Sequence, residues 1–473
     1  MKGGIVLNKI KKEGQIFTPK HIVSQMLDIC RYTPDNYGIV IKSKIIEPSF
    51  GDGAFLTEIL YTLLNTTYMY FTKEEQISLI KKNIFGIEKD KELYDITIDR
   101  LNSILKHFKI DEFDWSNNLF CTDTLYFDKF DGEFDIVIGN PPYVNIHNID
   151  DRDLLKTYNF SIKGMADLYI CFFEKGLKML NNTGTLCFIT PNSYFNSKAA
   201  SEMRKHIINN NLLFSIYNFG HEQVFQNATT YACITTLCKS YKKPIFLYTN
   251  HETQKTKKLS YSDVFVNNIL YPHINDEMLK IINFNDDTYA KVKNGCATLK
   301  DDFFIGSELS EKTKFSIPIL KSSTGVSKTC FYPYDSQGFV IDFDTIKEKD
   351  PHTANYLLEH KDELLKRNID KNGKWYAFGR SQAVKDTYLY KIGLNSIFKT
   401  KKDVKLYDAF AGTAVYGGFY ILTGAKFEDI EKILISDDFI NYATAIGRYK
   451  NGGYYSLTTK EIQKFLNYKL STI

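Results

Sequence analysis

Metal-binding and disulfide patterns are absent from this sequence. Its eight cysteines include no Cys-x-x-Cys pair, and its nine histidines show no metal-ligand spacing. Several cysteines stand in apolar runs such as residues 169–173, where cysteine usually serves as a small buried side chain in a reducing compartment. These absences exclude a zinc-stabilised module and a disulfide-stapled scaffold, and we predict a protein without a bound metal.

Long apolar runs are missing as well. No stretch reaches the roughly 18 uninterrupted apolar residues of a membrane span, and the lysine-dotted N-terminus lacks the apolar region of a signal peptide. Apolar residues make up 43% of the chain and charged residues 25%, which is the balance of an ordinary globular protein. We therefore expect a cytoplasmic protein.

The charge is unevenly divided along a chain whose 473 residues suggest two or three domains. Residues 1–240 carry 26 Lys and Arg against 28 Asp and Glu, whereas residues 241–473 carry 34 against 28. The basic surplus therefore lies in the C-terminal half, where a polyanion would be expected to bind. Charge differences of this size are also common between domains that bind no polyanion.

Residues 134–144 are the stretch around which the rest of the chain is organised. Their first half is an apolar run with one acid, typical of a strand buried on both faces. Residues 139–143, Gly-Asn-Pro-Pro-Tyr, cannot continue that strand because proline lacks the backbone N–H that a sheet requires. Since ligands bind at the carboxyl ends of strands in open α/β sheets, we predict a rigid ligand-binding loop here.

The groups of this loop suit a planar amine. The side-chain oxygen of Asn140 and the carbonyl of Pro141 are acceptors that match an –NH2 group with two hydrogens. Tyr143 offers a flat face on which a ring can stack. A plain surface turn would also use Asn and Pro, but the buried strand before the loop and the tyrosine within it favour the exocyclic amine of an aromatic base.

Three predicted strands ahead of this loop each end in an acid: Glu47, Glu88 and Asp123. A single acid in that position is more often a solvated strand-end residue, but three in succession predict a ligand-binding edge. The second of them would accept hydrogen bonds from ribose hydroxyls. Gly51 and Gly53 would let the backbone approach a ligand closely, although a Gly-x-Gly alone is weak evidence.

These segments alternate with helical patterns over residues 14–243. Thr18 and Pro19 predict the N-cap and first residue of a helix with an apolar stripe. About seven strands with intervening helices predict a doubly wound, Rossmann-like α/β domain. Residues 1–13 are rich in lysine and are expected to form a loose N-terminal arm.

The order and content of these motifs resemble the gamma-class, or Taq-type, N6-adenine DNA methyltransferases of type II restriction–modification systems, which use S-adenosylmethionine. The resemblance covers nearly the whole first half of the chain. It implies a catalytic loop formed by Asn140, Pro141, Pro142 and Tyr143. It also implies a flipped-out target adenine that stacks on the rings of Tyr143 and Phe225. It also implies a set of cofactor-binding residues: Phe17, Thr18, Glu47, Ser49, Gly51, Gly53, Phe55, Glu88, Lys89, Asp123, Thr124, Asn140 and Phe172.

Residues 244–473 carry no comparable catalytic motif. In the resembled family this region is the DNA target recognition domain, so we expect an α+β domain that binds double-stranded DNA, entered through a linker-like stretch at residues 250–258. Basic residues interleaved with aromatics suit phosphates and unstacked bases, although core aromatics and solvated turns are the slightly favoured explanation for any one of them. The candidate DNA-contacting residues are Thr324, Trp375, Tyr376, Arg380, Arg448 and Tyr454.

The resemblance implies a site-specific DNA adenine-N6 methyltransferase, acting within a restriction–modification system beside a separate cognate endonuclease or as an orphan enzyme. An RNA or protein-glutamine methyltransferase is the main alternative, since the loop suits any planar amine or amide, but the long basic second half argues against it. A non-catalytic DNA-binding or scaffold protein is disfavoured because every expected polar site residue is present. A fused nuclease ahead of the catalytic domain is not expected, since the motifs start near residue 14.

Overall fold

The computed structural model describes residues 17–111, 113–144, 153, 156–161, 167–225 and 230–473. The predicted N-terminal arm, residues 1–13, lies outside the described residues. The chain divides into two compact units, Met1–Pro272 and His273–Ile473. Within the described ranges, no helix has both the length and the apolar character that crossing a membrane requires.

The first unit is built on a nine-stranded sheet. Its strands are β1 Ile45–Glu47, β2 Ile84–Glu88, β3 Leu119–Cys121, β4 Phe134–Gly139, β5 Leu180–Pro191, β6 Leu213–Asn218, β7 Ala232–Cys238, β8 Ile245–Asn250 and β9 Lys255–Ser260. Their order in the sheet is β3-β2-β1-β4-β5-β7-β6-β8-β9. The first five strands in that order are mutually parallel, and β7 runs antiparallel to both of its neighbours. The predicted doubly wound α/β fold is confirmed.

Helices lie between these strands and begin at recognisable signals. They are α1 Lys20–Ile29, α2 Tyr37–Lys42, α3 Ala54–Thr67, α4 Lys73–Asn83, α5 Lys91–His107, α6 Leu168–Met179, α7 Ser201–Asn209 and α8 Tyr261–Val264. Thr72 and Glu75 form a capping box at the start of α4. The Asp90 carboxylate accepts hydrogen bonds from two backbone amides at the start of α5. A short pair of strands, β10 Phe265–Val266 and β11 Ile269–Leu270, completes this unit.

Strand β4 is buried on both faces, as its sequence predicted. Ile136 and Ile138 pack into one core cluster together with Phe55 of α3. Val137, which points to the opposite face, packs into the other cluster with Phe173 of α6. The sheet is thus covered by helices on both sides, and only its edges and strand ends remain for ligands.

The strand order reverses between β1 and β4. Strands β2 and β3 lie on one side of β1, and β4 pairs with its other side through Ile45 and Ile136. In doubly wound sheets, this reversal opens a crevice at the carboxyl ends of the two strands. Glu47 ends β1 and Gly139 ends β4, so the fold brings the first strand-end acid next to the Asn-Pro-Pro-Tyr loop.

The first unit extends beyond the predicted end at residue 243. Strand β8 pairs in parallel with β6, and β9 pairs antiparallel with β8. Residues 250–258, expected to be a linker, instead belong to a hairpin that extends the sheet. The polar, lysine-rich composition that suggested a linker is that of an exposed edge strand, which proteins commonly protect with lysine.

The second unit combines helices with three small sheets. Its strands are β12 Ala290–Asn294, β13 Ser316–Lys321, β14 Ser327–Phe331, β15 Lys391–Leu394, β16 Ile397–Phe398, β17 Leu406–Ala409, β18 Ala414–Tyr416, β19 Phe419–Thr423, β20 Arg448–Lys450 and β21 Tyr454–Ser456. They form the sheets β12-β19-β15-β17, β14-β13-β18 and β16-β21-β20. The helices are α9 Asp276–Asn283, α10 Asp301–Phe304, α11 Glu308–Lys312, α12 Phe343–Lys349, α13 Pro351–Glu359, α14 Lys361–Leu365, α15 Phe427–Leu434, α16 Asp437–Ile446 and α17 Thr459–Leu470.

Candidate functional site

A deep cleft lies at the carboxyl ends of β1, β2, β3 and β4. Its empty volume, including the part open to solvent, is about 810 Å³. The cleft is lined by Phe17, Thr18, Glu47, Pro48, Ser49, Phe50, Gly51, Asp52, Ala54, Phe55, Glu88, Lys89, Leu93, Asp123, Thr124, Asn140, Pro141, Pro142, Leu168 and Phe172. Every residue predicted to bind the cofactor is in this lining except Gly53.

The Asn140 amide is held from the N-terminal side of the unit. Its Nδ2 donates a hydrogen bond to Thr18 Oγ1 at 3.1 Å, and Ser49 Oγ donates to its backbone carbonyl at 3.4 Å. Thr18 does not act as the predicted N-cap: α1 begins at Lys20, its cap is Pro19, and no side chain caps it. The threonine instead orients the amide of the loop.

Glu47 is the most unusual charged group in the cleft. Only 2% of its surface is exposed, and no described residue offers a hydrogen bond to its Oε2. Burial, together with the nearby Asp52 and Glu88 carboxylates, raises the pKa of Glu47 well above its ordinary value, although a backbone hydrogen bond from Leu56 opposes the shift. A buried acceptor of this kind is suited to a cationic donor.

Glu88 fixes the glycine loop to the end of β2. Its Oε2 accepts a hydrogen bond from Gly51 N and its Oε1 accepts one from Asp90 N, both at 2.9 Å. Burial raises its pKa, and these amides oppose the shift. A carboxylate has about four lone pairs, so two remain for hydroxyl groups of a ligand.

The far wall of the cleft combines one acid with apolar side chains. Asp123 Oδ1 accepts a hydrogen bond from Leu125 N at 2.9 Å, and the Thr124 hydroxyl donates to the carbonyl of Pro48. Leu168 and Phe172 stand one turn apart on α6 and are both buried. A flat ring with an amino group would find an apolar surface and an acceptor here.

Gly53 serves the backbone rather than the cleft. Its φ is +78°, in the left-handed region, and it precedes α3 as the N-cap. A Cβ at this position would lie 2.5 Å from Thr97 Cγ2 on α5. The glycine therefore permits a turn and a close helix contact, and its place in the cofactor site stays a prediction.

The two rings predicted to stack on a target base are in contact with each other. The centroids of Tyr143 and Phe225 lie 6.2 Å apart with an angle of 68° between the rings. The Tyr143 hydroxyl donates to the Ile189 carbonyl at 3.0 Å, and burial raises its pKa well above the ordinary value. Phe225 is only 2% exposed. The edge-to-face arrangement leaves no parallel gap for a base between them.

The six candidate DNA-contacting residues of the second unit have different environments. Tyr376 is 3% exposed and its hydroxyl donates to the Ile341 carbonyl, so this residue belongs to the core and its prediction as a DNA contact is corrected. The other five remain predictions. Three of them have polar partners: Arg448 pairs with both carboxylate oxygens of Glu461, Arg380 donates to the Asn368 carbonyl, and Tyr454 donates to Asp403. Trp375 is half-buried against Phe343, and Thr324 is exposed.

Some lining residues were missed by the sequence reasoning. Leu168 precedes Phe172 by four positions on α6, so helical spacing would have found it. Asp52 stands between the two glycines and pairs with Arg100 at 2.7 Å, which only the fold reveals. Phe410 is 69% exposed on a loop of the second unit, which sequence alone does not show because it does not separate exposed from buried aromatics.

The comparisons with known proteins point in one direction. The family described as Eco57I restriction-modification methylase matches residues 65–225. The chain is 25% identical over 428 residues to the type II methyltransferase M.BstVI of Geobacillus stearothermophilus, covering 79% of this chain and 75% of that one. It is 23% identical to the type II restriction enzyme and methyltransferase RM.Eco57I of Escherichia coli, covering 94% of this chain but 56% of that one.

A solved structure shares the fold. The type IIL restriction-modification enzyme MmeI, determined in complex with DNA, matches with a TM-score of 0.61 and 12% identity, over 93% of this chain and 64% of that one. The family match and these relatives, together with the fold, support an S-adenosylmethionine-dependent methyltransferase, and S-adenosylmethionine is the cofactor of this class. Within it, the chain is related to the methyltransferases of type II restriction–modification systems, as the sequence predicted.

Proposed function

We propose that this protein transfers the methyl group of S-adenosylmethionine to the N6 amine of an adenine flipped out of duplex DNA, at a specific recognition sequence. The main support for this reaction is the position of Asn140 and Pro141. Both line the cleft at the end of β4, beside the strand-end acids and the apolar wall formed by α6. A target amine and a methyl donor can therefore meet at one edge of the sheet.

The cleft residues fit S-adenosylmethionine. Glu47 Oε2, buried and without a partner among the described residues, suits the α-ammonium group. Glu88 suits the ribose hydroxyls and Asp123 the adenine amine, while Phe172 and Leu168 supply an apolar surface for the ring. Phe17 at the rim is 46% exposed, so a bound ligand would cover apolar surface that is otherwise in water.

The protein's own contribution is positioning and hydrogen bonding. The bound cofactor supplies an electrophilic methyl group on a sulfonium. The Asn140 side-chain oxygen and the Pro141 carbonyl accept the two hydrogens of the target amine, which favours a tetrahedral nitrogen with its lone pair directed at the methyl carbon. Thr18 keeps the Asn140 amide in the orientation that this requires. The methylated nitrogen carries a positive charge and then releases one proton to solvent.

A target adenine must leave the helical stack to reach this loop. Flipping a base costs a few kcal/mol, and stacking on an aromatic side chain returns about 1–3 kcal/mol. Because Tyr143 and Phe225 meet edge to face, a base stacks between them only if the Phe225 side chain turns aside while its loop keeps its place.

The second unit is proposed to bind the DNA around the target. It carries 29 Lys and Arg against 26 Asp and Glu, and this small basic surplus suits phosphates. Its exposed apolar side chains include Phe410, whose ring lies 6.2 Å from that of Tyr390, and Leu389. Apolar side chains of this kind can be inserted between base steps. DNA is also the partner named for the structurally similar MmeI.

An RNA or protein-glutamine methyltransferase is the alternative that the loop chemistry allows. The test is methyl transfer from labelled S-adenosylmethionine to unmethylated plasmid DNA, total RNA and a glutamine-containing protein in parallel, followed by nucleoside and amino-acid analysis. N6-methyladenine from DNA alone supports the proposal. N4-methylcytosine would change the target base, and label in RNA or glutamine would overturn the DNA substrate.

A further inference from the structure

The hairpin of β8 and β9 contributes no residue to the cleft, yet its turn contacts the loop that carries Phe225. We define the hairpin turn as residues 251–254 and the Phe225 loop as residues 219–225. The Phe225 loop leaves β6 after Asn218 and brings the Phe225 ring to Tyr143. Its position decides how a base can stack there.

Glu252 holds the start of the Phe225 loop. Its Oε1 accepts a hydrogen bond from His221 N at 2.9 Å. The same oxygen would lie 2.6 Å from a Cβ at Gly220, whose φ of +63° is in the left-handed region. The absence of a side chain at residue 220 therefore allows the carboxylate to approach the backbone, and the loop turns at the point where it is held.

His251 holds the same loop through its backbone and its ring. Its N–H donates to the Asn218 carbonyl at 2.9 Å, and its Nδ1 lies 2.7 Å from the Tyr217 hydroxyl. Its Nε2 contacts the Glu222 carboxylate. The imidazole also packs 5.4 Å from the Phe219 ring. One side chain thus contacts the end of β6 and the middle of the Phe225 loop.

We propose that His251 and Glu252 are positioning residues, which hold the Phe225 loop so that Phe225 meets the target base in a fixed place. This inference rests on the proposed function. The contacts are partly exposed, so each one contributes little to stability by itself. Their effect is on geometry, where a displacement of about 1 Å can lower a rate by about 100-fold.

The experiment compares the full-length wild type with the double variant His251→Ala/Glu252→Ala. Thr253→Ala is the matched control, because Thr253 bonds only to Asn250 within the hairpin among the described contacts. Hydrogen exchange of the peptide covering residues 219–225 measures how firmly His251 and Glu252 hold the Phe225 loop, without any substrate. Methylation of plasmid DNA at saturating S-adenosylmethionine, with the KM for S-adenosylmethionine, measures its effect on the reaction.

We expect exchange in residues 219–225 to accelerate about tenfold or more in the double variant, which corresponds to the loss of local protection. The methylation rate should fall about 10- to 100-fold, while the KM for S-adenosylmethionine stays unchanged. Thr253→Ala should match the wild type in both measurements. Glu252→Gln, which keeps an acceptor oxygen, should retain most of the slow exchange.

Two results would overturn the inference. Unchanged exchange in the double variant would mean that the turn does not hold the loop, and faster exchange with an unchanged methylation rate would mean that the loop's position does not matter. A wild type that methylates no DNA would instead refute the proposed function, and the positioning role would fall with it. The exchange measurement would still show whether His251 and Glu252 hold the Phe225 loop.

Discussion

Replacing Glu47 by glutamine removes a buried charge while keeping the shape of the side chain. In the protein without cofactor, the Oε2 atom has no partner among the described residues. Burial and the nearby Asp52 and Glu88 carboxylates disfavour the ionised form of Glu47. An unpaired buried polar group costs about 1–3 kcal/mol and a charged one more, and a neutral amide avoids the part of this cost that comes from the charge. The cofactor-free Glu47→Gln variant should therefore be more stable than the wild type, with a Tm at pH 8 higher by about 2 °C or more.

The pH dependence of this effect follows from the raised pKa of Glu47. The folded state binds the proton of Glu47 more tightly than the unfolded state does, so protonation stabilises the fold. This stabilisation is fully present below the ordinary glutamate pKa of 4.5, and it is lost as the pH rises through the pKa of the folded state. The Tm advantage of Glu47→Gln should thus be small at pH 4.5 and grow toward pH 8.

Cofactor binding should change in the opposite direction. A hydrogen bond to a charged group contributes about 1.5–3 kcal/mol, so the loss of the carboxylate should raise the Kd for S-adenosylmethionine by about 10- to 150-fold. Calorimetry with 5′-methylthioadenosine, which lacks the α-ammonium group, is the internal control and should show nearly equal affinities. Equal loss of affinity for both ligands would refute the placement of the ammonium at Glu47.

Two more pairs of substitutions test the packing of the fold and the proposed DNA interface. Gly53→Ala should lower Tm by several degrees, because the residue has a left-handed φ and a Cβ there would meet Thr97. Gly132→Ala is the control: this glycine also has a left-handed φ, +77°, but open space around it, so Tm should fall less. Equal losses in a thermal melt would contradict the Thr97 contact. Tyr376→Ala should destabilise the protein by about 3–5 kcal/mol, because it truncates a core side chain. Phe410→Ala should leave Tm unchanged and weaken DNA binding in a fluorescence titration. Unchanged DNA affinity would show that Phe410 does not belong to the interface.

Local sequence patterns predicted the cleft well because its residues stand at strand ends. A buried apolar run followed by an acid or by Asn-Pro-Pro fixes both the strand and the place where it stops. Since parallel strands end at one edge, Glu47, Glu88, Asp123 and Asn140 were expected to come together, and they line one cleft.

Features that depend on packing were not predictable in the same way. Tyr376 stands between aromatic and basic residues, a pattern shared by cores and nucleic-acid surfaces, and only its 3% exposure separates the two. Thr18 has the residue type of an N-cap but bonds to an amide 122 positions away. The hairpin at residues 245–260 was missed because a lysine-rich edge strand has the composition of a linker.

The most direct test of the account is the amount of N6-methyladenine formed in plasmid DNA by the wild type and by Asn140→Ala, at saturating S-adenosylmethionine. The account predicts N6-methyladenine from the wild type and a rate lower by about 100- to 1,000-fold in the variant, with both proteins folded. A variant that methylates adenine as fast as the wild type would contradict the role of the loop, and a wild type that forms no N6-methyladenine would contradict the proposed reaction.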